Sequence, residues 1–335
     1  MKAMIPLLWI LLISWGLKGQ DVRILTEGTA SSLRGLSAVS DRIIWVSGSN
    51  GMVGRSVDSG YSWKWMQVSG FEKADFRDIE AFDAVSAVIM GIGTPAYILK
   101  TTDGGENWKI VFKDSANGMF LDAMEFWNIR SGIVLGDPVG GRFFIARTFD
   151  GGDQWQPIPF PLRPLADSGE ACFASSGTNI RALDKDEAVF ISGGMRSSLF
   201  IRDHKSGLPI LSSGKESTGA NSIAVKNNRH FMIVGGDFEK SQWGLSTGNC
   251  IYTLDGGSTW QAPLAAPSGY RSSVEFMGGK KWICCGLNGV DLSMDDGKNF
   301  RKISDTGFHV CRKSKKGKSV FFAGSKGRIG KLVMN

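Results

Sequence analysis

Thr101-Thr102-Asp103-Gly104-Gly105-Glu106-Asn107-Trp108 follows the apolar run Tyr97-Ile98-Leu99-Lys100 and leads into Lys109-Ile110-Val111-Phe112. Its form is Ser or Thr, any residue, Asp, any residue, Gly, two more residues, then an aromatic. Ser56-Val57-Asp58-Ser59-Gly60-Tyr61-Ser62-Trp63 repeats it, as do residues 148–155, 253–260 and 293–300, which carry Asp150, Asp255 and Asp295 and end on Trp155, Trp260 and Phe300. A short carboxylate in such a turn accepts backbone N–H bonds, and the glycine supplies positive φ. Each copy follows a strand-like run, so each reads as the hairpin at the end of a small sheet. A unit too thin to bury its own apolar face must stack on its neighbours, so the repeat governs the fold.

A second signal recurs with the first: a β-branched or aromatic run ending on glycine. Ile43-Ile44-Trp45-Val46-Ser47-Gly48 is the first copy and Val320-Phe321-Phe322-Ala323-Gly324 the last, with copies ending at Gly91, Gly136, Gly193, Gly235 and Gly286 between them. The glycine-to-glycine intervals are 43, 45, 57, 42, 51 and 38 residues. These runs are apolar on both faces, as a strand sandwiched between neighbouring sheets requires. One strand precedes each run and two follow it. The pattern predicts an all-β, seven-bladed β-propeller of four-stranded antiparallel blades. The last unit has only three strands of its own, and Val22-Arg23-Ile24-Leu25 is the predicted fourth, closing the ring and removing an open sheet edge. Asp203-His204-Lys205-Ser206-Gly207 reads as a degenerate turn of the fourth blade. No amphipathic run carries helical spacing, which argues against a βαβ fold or helical solenoid.

Composition agrees. The chain has 335 residues, 42% of them apolar and 21% charged, and its 44 glycines are nearly twice the usual share, as tight turns demand. Residues 1–20 carry Lys2 and an eleven-residue apolar run from Ile5 to Trp15, too short to span a bilayer. They read as a secretory signal, with residues 21–335 as one propeller domain in a secreted or periplasmic protein. No later segment is long enough to cross a membrane. The net charge of +7 is local: residues 301–335 hold ten Lys or Arg against one Asp, leaving −2 elsewhere. Such a distribution, without interleaved aromatics, is no nucleic-acid footprint. The basic run Arg312-Lys313-Ser314-Lys315-Lys316-Gly317-Lys318 is expected as an exposed hairpin on the Asp-turn face. Five cysteines show no zinc spacing, and only Cys172, in an expected loop, reads as accessible. Of the three histidines, His204 is placed in the degenerate turn, His230 at an exposed strand end and His309 facing the channel. Neither a metal triad nor a nucleotide-binding glycine loop is present, so no cofactor and no metal are expected.

The turns resemble the aspartate box (BNR repeat) of sialidase-type propellers. Together with Ser32-Leu33-Arg34-Gly35-Leu36-Ser37-Ala38-Val39 and Trp45-Val46-Ser47-Gly48, they resemble the photosystem II stability and assembly factor family, whose members include exported, non-photosynthetic bacterial proteins. The resemblance runs over roughly 22–333. It implies a WD40-like seven-bladed scaffold that binds a protein being assembled, with arginines important in docking, and Arg34 and Arg77 are the matching positions. Asp122 departs from the arginine pattern.

In a propeller the first strand of each blade borders the axis. Arg34, Arg77, Asp78, Asp122, Asp137, Glu170, Asn221, Asp237, Arg271 and His309 are therefore candidate partner- or ligand-binding residues. Glu80, Glu125 and Glu275 are the candidate acid and base of an alternative, a carbohydrate-active enzyme. Otherwise these acids line a solvated channel and pair with Arg34, Arg77 and Arg271. The reading that results is an exported, monomeric scaffold holding an envelope protein or glycan.

Overall fold

The structure is a computed structural model and describes residues 20–210, 214–241 and 248–334. The expected signal segment lies outside the described residues except for Gln20. The first element among the described residues is β1 (Asp21–Thr26), and the sheets then follow in sequence order. The first holds β2 (Leu33–Ala38), β3 (Ile44–Gly48), β4 (Met52–Ser56) and β5 (Lys64–Gln67); the second holds β6 (Phe76–Ala81), β7 (Ala87–Gly91), β8 (Ala96–Thr101) and β9 (Lys109–Asp114). The third holds β10 (Leu121–Phe126), β11 (Gly132–Val139), β12 (Arg142–Thr148) and β13 (Gln156–Pro157), the last cut to two residues where Pro157 and Pro159 remove ladder donors.

Next comes an eight-stranded sheet. It contains β14 (Glu170–Ala171), β15 (Ile180–Ala182), β16 (Ala188–Gly194), β17 (Ser198–Ile201) and β18 (His204–Gly207), followed by β19 (Thr218–Asn227), β20 (His230–Asp237) and β21 (Cys250–Thr253). Its halves meet through one residue pair, Gly193 with Gly219. Four more strands follow: β22 (Ser273–Gly278), β23 (Lys281–Gly286), β24 (Gly289–Ser293) and β25 (Phe300–Ser304). The last sheet holds β26 (Val310–Lys313), β27 (Val320–Ala323) and β28 (Ile329–Val333), completed by β1, which pairs antiparallel with β28 from Asp21 opposite Val333 to Thr26 opposite Ile329. All pairing within these sheets is antiparallel.

Each innermost strand packs on the next, β2 on β6, β6 on β10, β10 on β15, β15 on β19, β19 on β22 and β22 on β26, and β26 returns to β2. The result is a closed β-propeller. Side chains sew these strands together. Ser37 Oγ accepts the Ala81 N–H at 3.0 Å, Asp78 Oδ2 that of Met124 at 2.7 Å, Ser222 Oγ that of Val274 at 2.9 Å and Ser273 Oγ that of Cys311 at 3.2 Å.

The second strands show why a ring is needed. In β7 every residue is buried; Val88 and Met90 join a cluster with Val134 and Phe144, while Ala87 and Ile89 face Trp45 and Val53. Period-two alternation thus sends one strand into two interfaces. Cys284 and Cys285 divide likewise between the clusters on either side of β23.

The five Asp turns are built alike. Thr101 Oγ1 donates to Asp103 Oδ1 at 2.8 Å and accepts the Gly105 N–H at 3.0 Å, and Asp103 then accepts the Asn107 N–H at 3.0 Å. Ser56 with Asp58, Thr148 with Asp150, Thr253 with Asp255 and Ser293 with Asp295 repeat the bonds. Gly105 has φ +89, and a Cβ there would lie 2.9 Å from Met66 Sδ, so the turn requires glycine twice over. The fourth turn differs from expectation. Residues 204–207 are strand β18, and the hairpin turns on Arg202 (φ 54) and Asp203. His204 is therefore a strand residue.

Thr101→Val keeps the shape but leaves the buried Gly105 N–H without its acceptor. A loss of about 1–3 kcal/mol in urea-unfolding free energy is expected. Hydrogen bonds from the Ser62 side chain and backbone, then from Ser56, pull Asp58 down to about 2, and those from Thr259 and Thr253 do the same for Asp255. Depressed carboxylates stabilise above their unfolded value of about 4 and lose that contribution as pH falls through the folded value. Circular dichroism melts should therefore weaken progressively between about pH 4 and 2, and less so in Asp255→Asn.

Candidate functional site

Residues 172–178 enter the axis. After β14 the chain leaves the sheet, crosses the channel and returns as β15. Its carbonyls are held from three inner strands: Arg34 Nη1 donates to Ser175 O at 3.1 Å, Arg77 Nη1 to Ala174 O at 3.4 Å and Arg312 Nη2 to Gly177 O at 2.9 Å. Ser175 Oγ donates to Asn221 Oδ1 at 2.9 Å, Ser176 Oγ to Ser272 O at 2.7 Å and Thr178 Oγ1 to Ser222 Oγ at 2.6 Å. Gly177 (φ +61) is the tip. A Cβ there would lie 2.3 Å from Asp78 Cγ, so no larger residue fits. The segment is a plug, and it divides the axis into two mouths.

The loop mouth lies at the N-terminal ends of the inner strands. Its recess of about 510 Å³ is lined by Arg34, Arg77, Asp137, Phe173, Tyr270 and His309. Asp75 accepts from Arg77 Nε at 2.8 Å. Burial, and then the charge of Arg77, lowers the Arg34 pKa. Asp122 is fully buried, and neither of its carboxylate oxygens has a hydrogen-bond partner of ordinary geometry. Burial, then the Asp137 carboxylate, raises it well above the usual range against the opposing pull of Arg77. Burial lifts Asp137 to about 6, although its Oδ1 accepts the Cys172 N–H at 2.8 Å. Burial, then Arg34 and Arg77, hold His309 down to about 3; its Nε2 lies 3.0 Å from both Ser32 Oγ and Ser325 Oγ. The imidazole is neutral, and the Arg34 and Arg77 guanidiniums share this mouth with the carboxyl groups of Asp75, Asp137 and Glu216.

The turn mouth lies at the C-terminal ends of the same strands and gathers Glu80, Glu125 and Glu275 with Arg181, Arg312 and Lys315. These acids do not pair with Arg34, Arg77 and Arg271 as expected. Alternation along a strand says which residues face the axis but not at what height, and the two sets stand at opposite ends. Arg181 lies 3.6 Å from Glu125 and 3.5 Å from Glu275, Arg312 lies 3.9 Å from Glu125, and Lys315 pairs closely with Glu80. Burial raises Glu80 while Lys315 opposes it.

Other candidates lie apart from either mouth. Asp78 is an inter-strand acceptor, bonded to the Ile79 and Met124 amides; burial raises it to about 7 against Arg312 and these amides. Glu170, expected at the mouth, has a fully buried side chain that takes bonds from Ser192 Oγ, Lys205 Nζ (2.7 Å) and the Asp167 N–H (2.8 Å), so it braces β14. Arg271 is wholly buried and clamped by Asp291, Asn288 and Tyr270 O. Asn221 is buried beneath the plug and accepts from Tyr270 Oη at 2.8 Å. Asp237 caps a short 3-10 turn through the Glu239 N–H, and the connection beyond it lies partly outside the described residues.

Cys172 is 4% exposed, because its loop runs inward instead of over the surface, and its thiol bonds to Ile191 O. His230 is likewise buried, against Trp282 with ring centroids 5.2 Å apart. The basic hairpin is only partly exposed: Arg312 points into the axis, and Lys315 N bonds to Ala38 O. Among the described residues no group of three His, Cys, Asp or Glu could hold a metal ion, and no helix is long and apolar enough to cross a membrane.

No protein-family model matches this chain, and no curated protein matches it. Solved structures do. YCF48 bound to D1 peptide superposes with a TM-score of 0.68 at 15% identity, covering 94% of this chain and 95% of that one. YCF48 from Cyanidioschyzon merolae gives 0.67 at 17% identity, covering 93% and 98%. The WD40 β-propeller domain of Doa1 gives 0.62 at 10% identity, covering 95% and 98%. The fold is thus that of a YCF48-like β-propeller.

All five cysteines are free and buried, and burial, then Asp122, Asp137 and Glu170, raises the Cys172 thiol. A thiol must be exposed and ionised to react. Titration with a thiol reagent should find no rapidly reacting group in the native protein and five after denaturation.

Proposed function

We propose that this chain is a seven-bladed binding scaffold that captures an extended segment of a protein partner at the loop mouth. The eight-stranded sheet counts as two blades, β15 to β18 and β19 to β21. The second of these has only the bridge between Tyr252 and Gln261 in place of its outer strand. The observation that carries the reading is the pair Arg34 and Arg77 beside the neutral His309 imidazole: two guanidiniums at an axial recess with the Asp75 carboxylate on one of them. Such a site suits a carboxylate-bearing segment, since guanidinium forks bind carboxylates in two-point fashion. The fold likeness to YCF48, one structure of which holds D1 peptide, supports a peptide over a small ligand. The aspartate-box resemblance and residues 1–20 support an exported, monomeric protein serving assembly or stability of envelope components. The ion pairs around Arg181 favour a lining role for Glu125 and Glu275 over acid–base catalysis.

The test is affinity purification of the mature protein from its own envelope fraction with mass spectrometry, then reassembly of the complex from purified components. Arg34→Glu with Arg77→Glu should weaken the reassembled complex at least tenfold while the far-UV spectrum and a cooperative melt persist, and added salt should weaken the wild-type complex. Undiminished affinity in the double variant would overturn the proposal.

A further inference from the structure

At the turn mouth a cavity of about 280 Å³ sits on the axis, against the plug, and all the innermost strands contribute to its wall. Its volume is at the small end of ligand pockets. Two features set it apart from a packed ion-pair network. Its charges are mixed, with Glu80, Glu125 and Glu275 facing Arg181, Arg312 and Lys315. Its central pairs are also loose. Arg181 is 7% exposed, yet its contacts to Glu125 and Glu275 measure 3.6 and 3.5 Å, and that of Arg312 to Glu125 is 3.9 Å. A well-made guanidinium–carboxylate bond is about 2.7–2.9 Å. The one firm protein hydrogen bond from the Arg181 head is Nη1 to Ile180 O at 3.0 Å. Buried charges are costly unless further hydrogen bonds complete them, and these side chains line the cavity.

We propose that this cavity is a second binding site, for a small zwitterion of the amino-acid type. An anion alone would face three glutamates, and a cation alone would face two guanidiniums and two lysines, Lys313 and Lys315. A molecule carrying both charges satisfies both sets: its carboxylate bridges Arg181 and Arg312, and its ammonium sits among Glu80, Glu125 and Glu275. Phe126 and Phe276 line the same cavity and offer apolar contact to a side chain. The plug isolates this site from the loop mouth, since Arg312 Nη2 holds Gly177 O at 2.9 Å between them. The proposal therefore does not depend on peptide capture by Arg34 and Arg77.

The test is isothermal titration of the wild-type protein with each standard amino acid, its α-amide and its N-acetyl derivative, alongside neutral hexoses. At least one free amino acid should bind with a dissociation constant of 1 mM or tighter. Blocking either its carboxylate or its amine should weaken binding at least tenfold. Glu125→Gln, checked by circular dichroism, should weaken it similarly; the blocked ligands test the same point on unaltered protein should that variant fold poorly. Absence of binding by every free amino acid, equal binding of the blocked forms, or preferential binding of a hexose would each overturn the proposal.

Discussion

Among the described residues, four of the seven junctions between innermost strands share one kind of bond, in which a short side chain on one innermost strand accepts a backbone N–H from the next. Ser37, Asp78, Ser222 and Ser273 each do this. The first strand of a blade has a neighbour in its own sheet on one side only, so its other backbone groups face the axis, and a buried amide left without an acceptor is expensive. The sheets cannot separate without exposing these amides and, with them, strands such as β7 that are apolar on both faces. Closure of the last sheet by β1 completes the arrangement and brings together residues from opposite ends of the chain. Contacts that distant form late, because chain entropy must be lost before they are rewarded.

A ring stitched in this way leaves an axis whose walls carry charge. The plug resolves this by offering bare carbonyls. Three arginines reach residues 172–178 from β2, β6 and β26, and each donates to a backbone oxygen there, Arg77 holding the Asp75 carboxylate as well. A neutral carbonyl satisfies a guanidinium donor without cancelling its charge. Arg34 is thus ordered by a plug carbonyl and Arg77 by a plug carbonyl together with Asp75, whereas at the turn mouth the charges are opposed by glutamates.

The turns were legible in the sequence because their bonds are local. Thr101, Asp103, Gly105 and Asn107 complete their hydrogen bonds within seven residues, so spacing alone identifies the set. The closing strand was legible because a three-stranded last unit leaves an edge that the Val22 run can fill. The axis was not. Ser175 meets Arg34 from 141 residues away and Gly177 meets Arg312 from 135, and neither pairing has a linear signature. One trace did exist: the interval from Gly136 to Gly193 is 57 residues, the longest between repeats, and the plug lies within it. Cys172 was misplaced for the same reason, since loops ordinarily run over the surface. Arg312 reads in the sequence as part of an exposed basic hairpin, and Arg181 has no local signature, because the glutamate partners of both lie on other strands, Glu275 being 94 residues from Arg181 and Glu125 farther still from Arg312.

The proposed double role of Arg34 and Arg77, on the plug and on a ligand, would constrain how the loop mouth works. A guanidinium presents five N–H donors in a rigid plane, so a group that gives one to a plug carbonyl can still direct others toward a ligand. Lysine has three donors on a flexible stem and no such fixed plane. Charge alone would be met by either residue; holding the plug and a carboxylate at once favours arginine. Burial of Arg34 beside Arg77 is unfavourable for two like charges and lowers the Arg34 pKa. The plug carbonyls offset part of that cost, and an incoming carboxylate would offset more of it. Binding energy at this mouth would then come largely from relieving a repulsion that the fold already maintains.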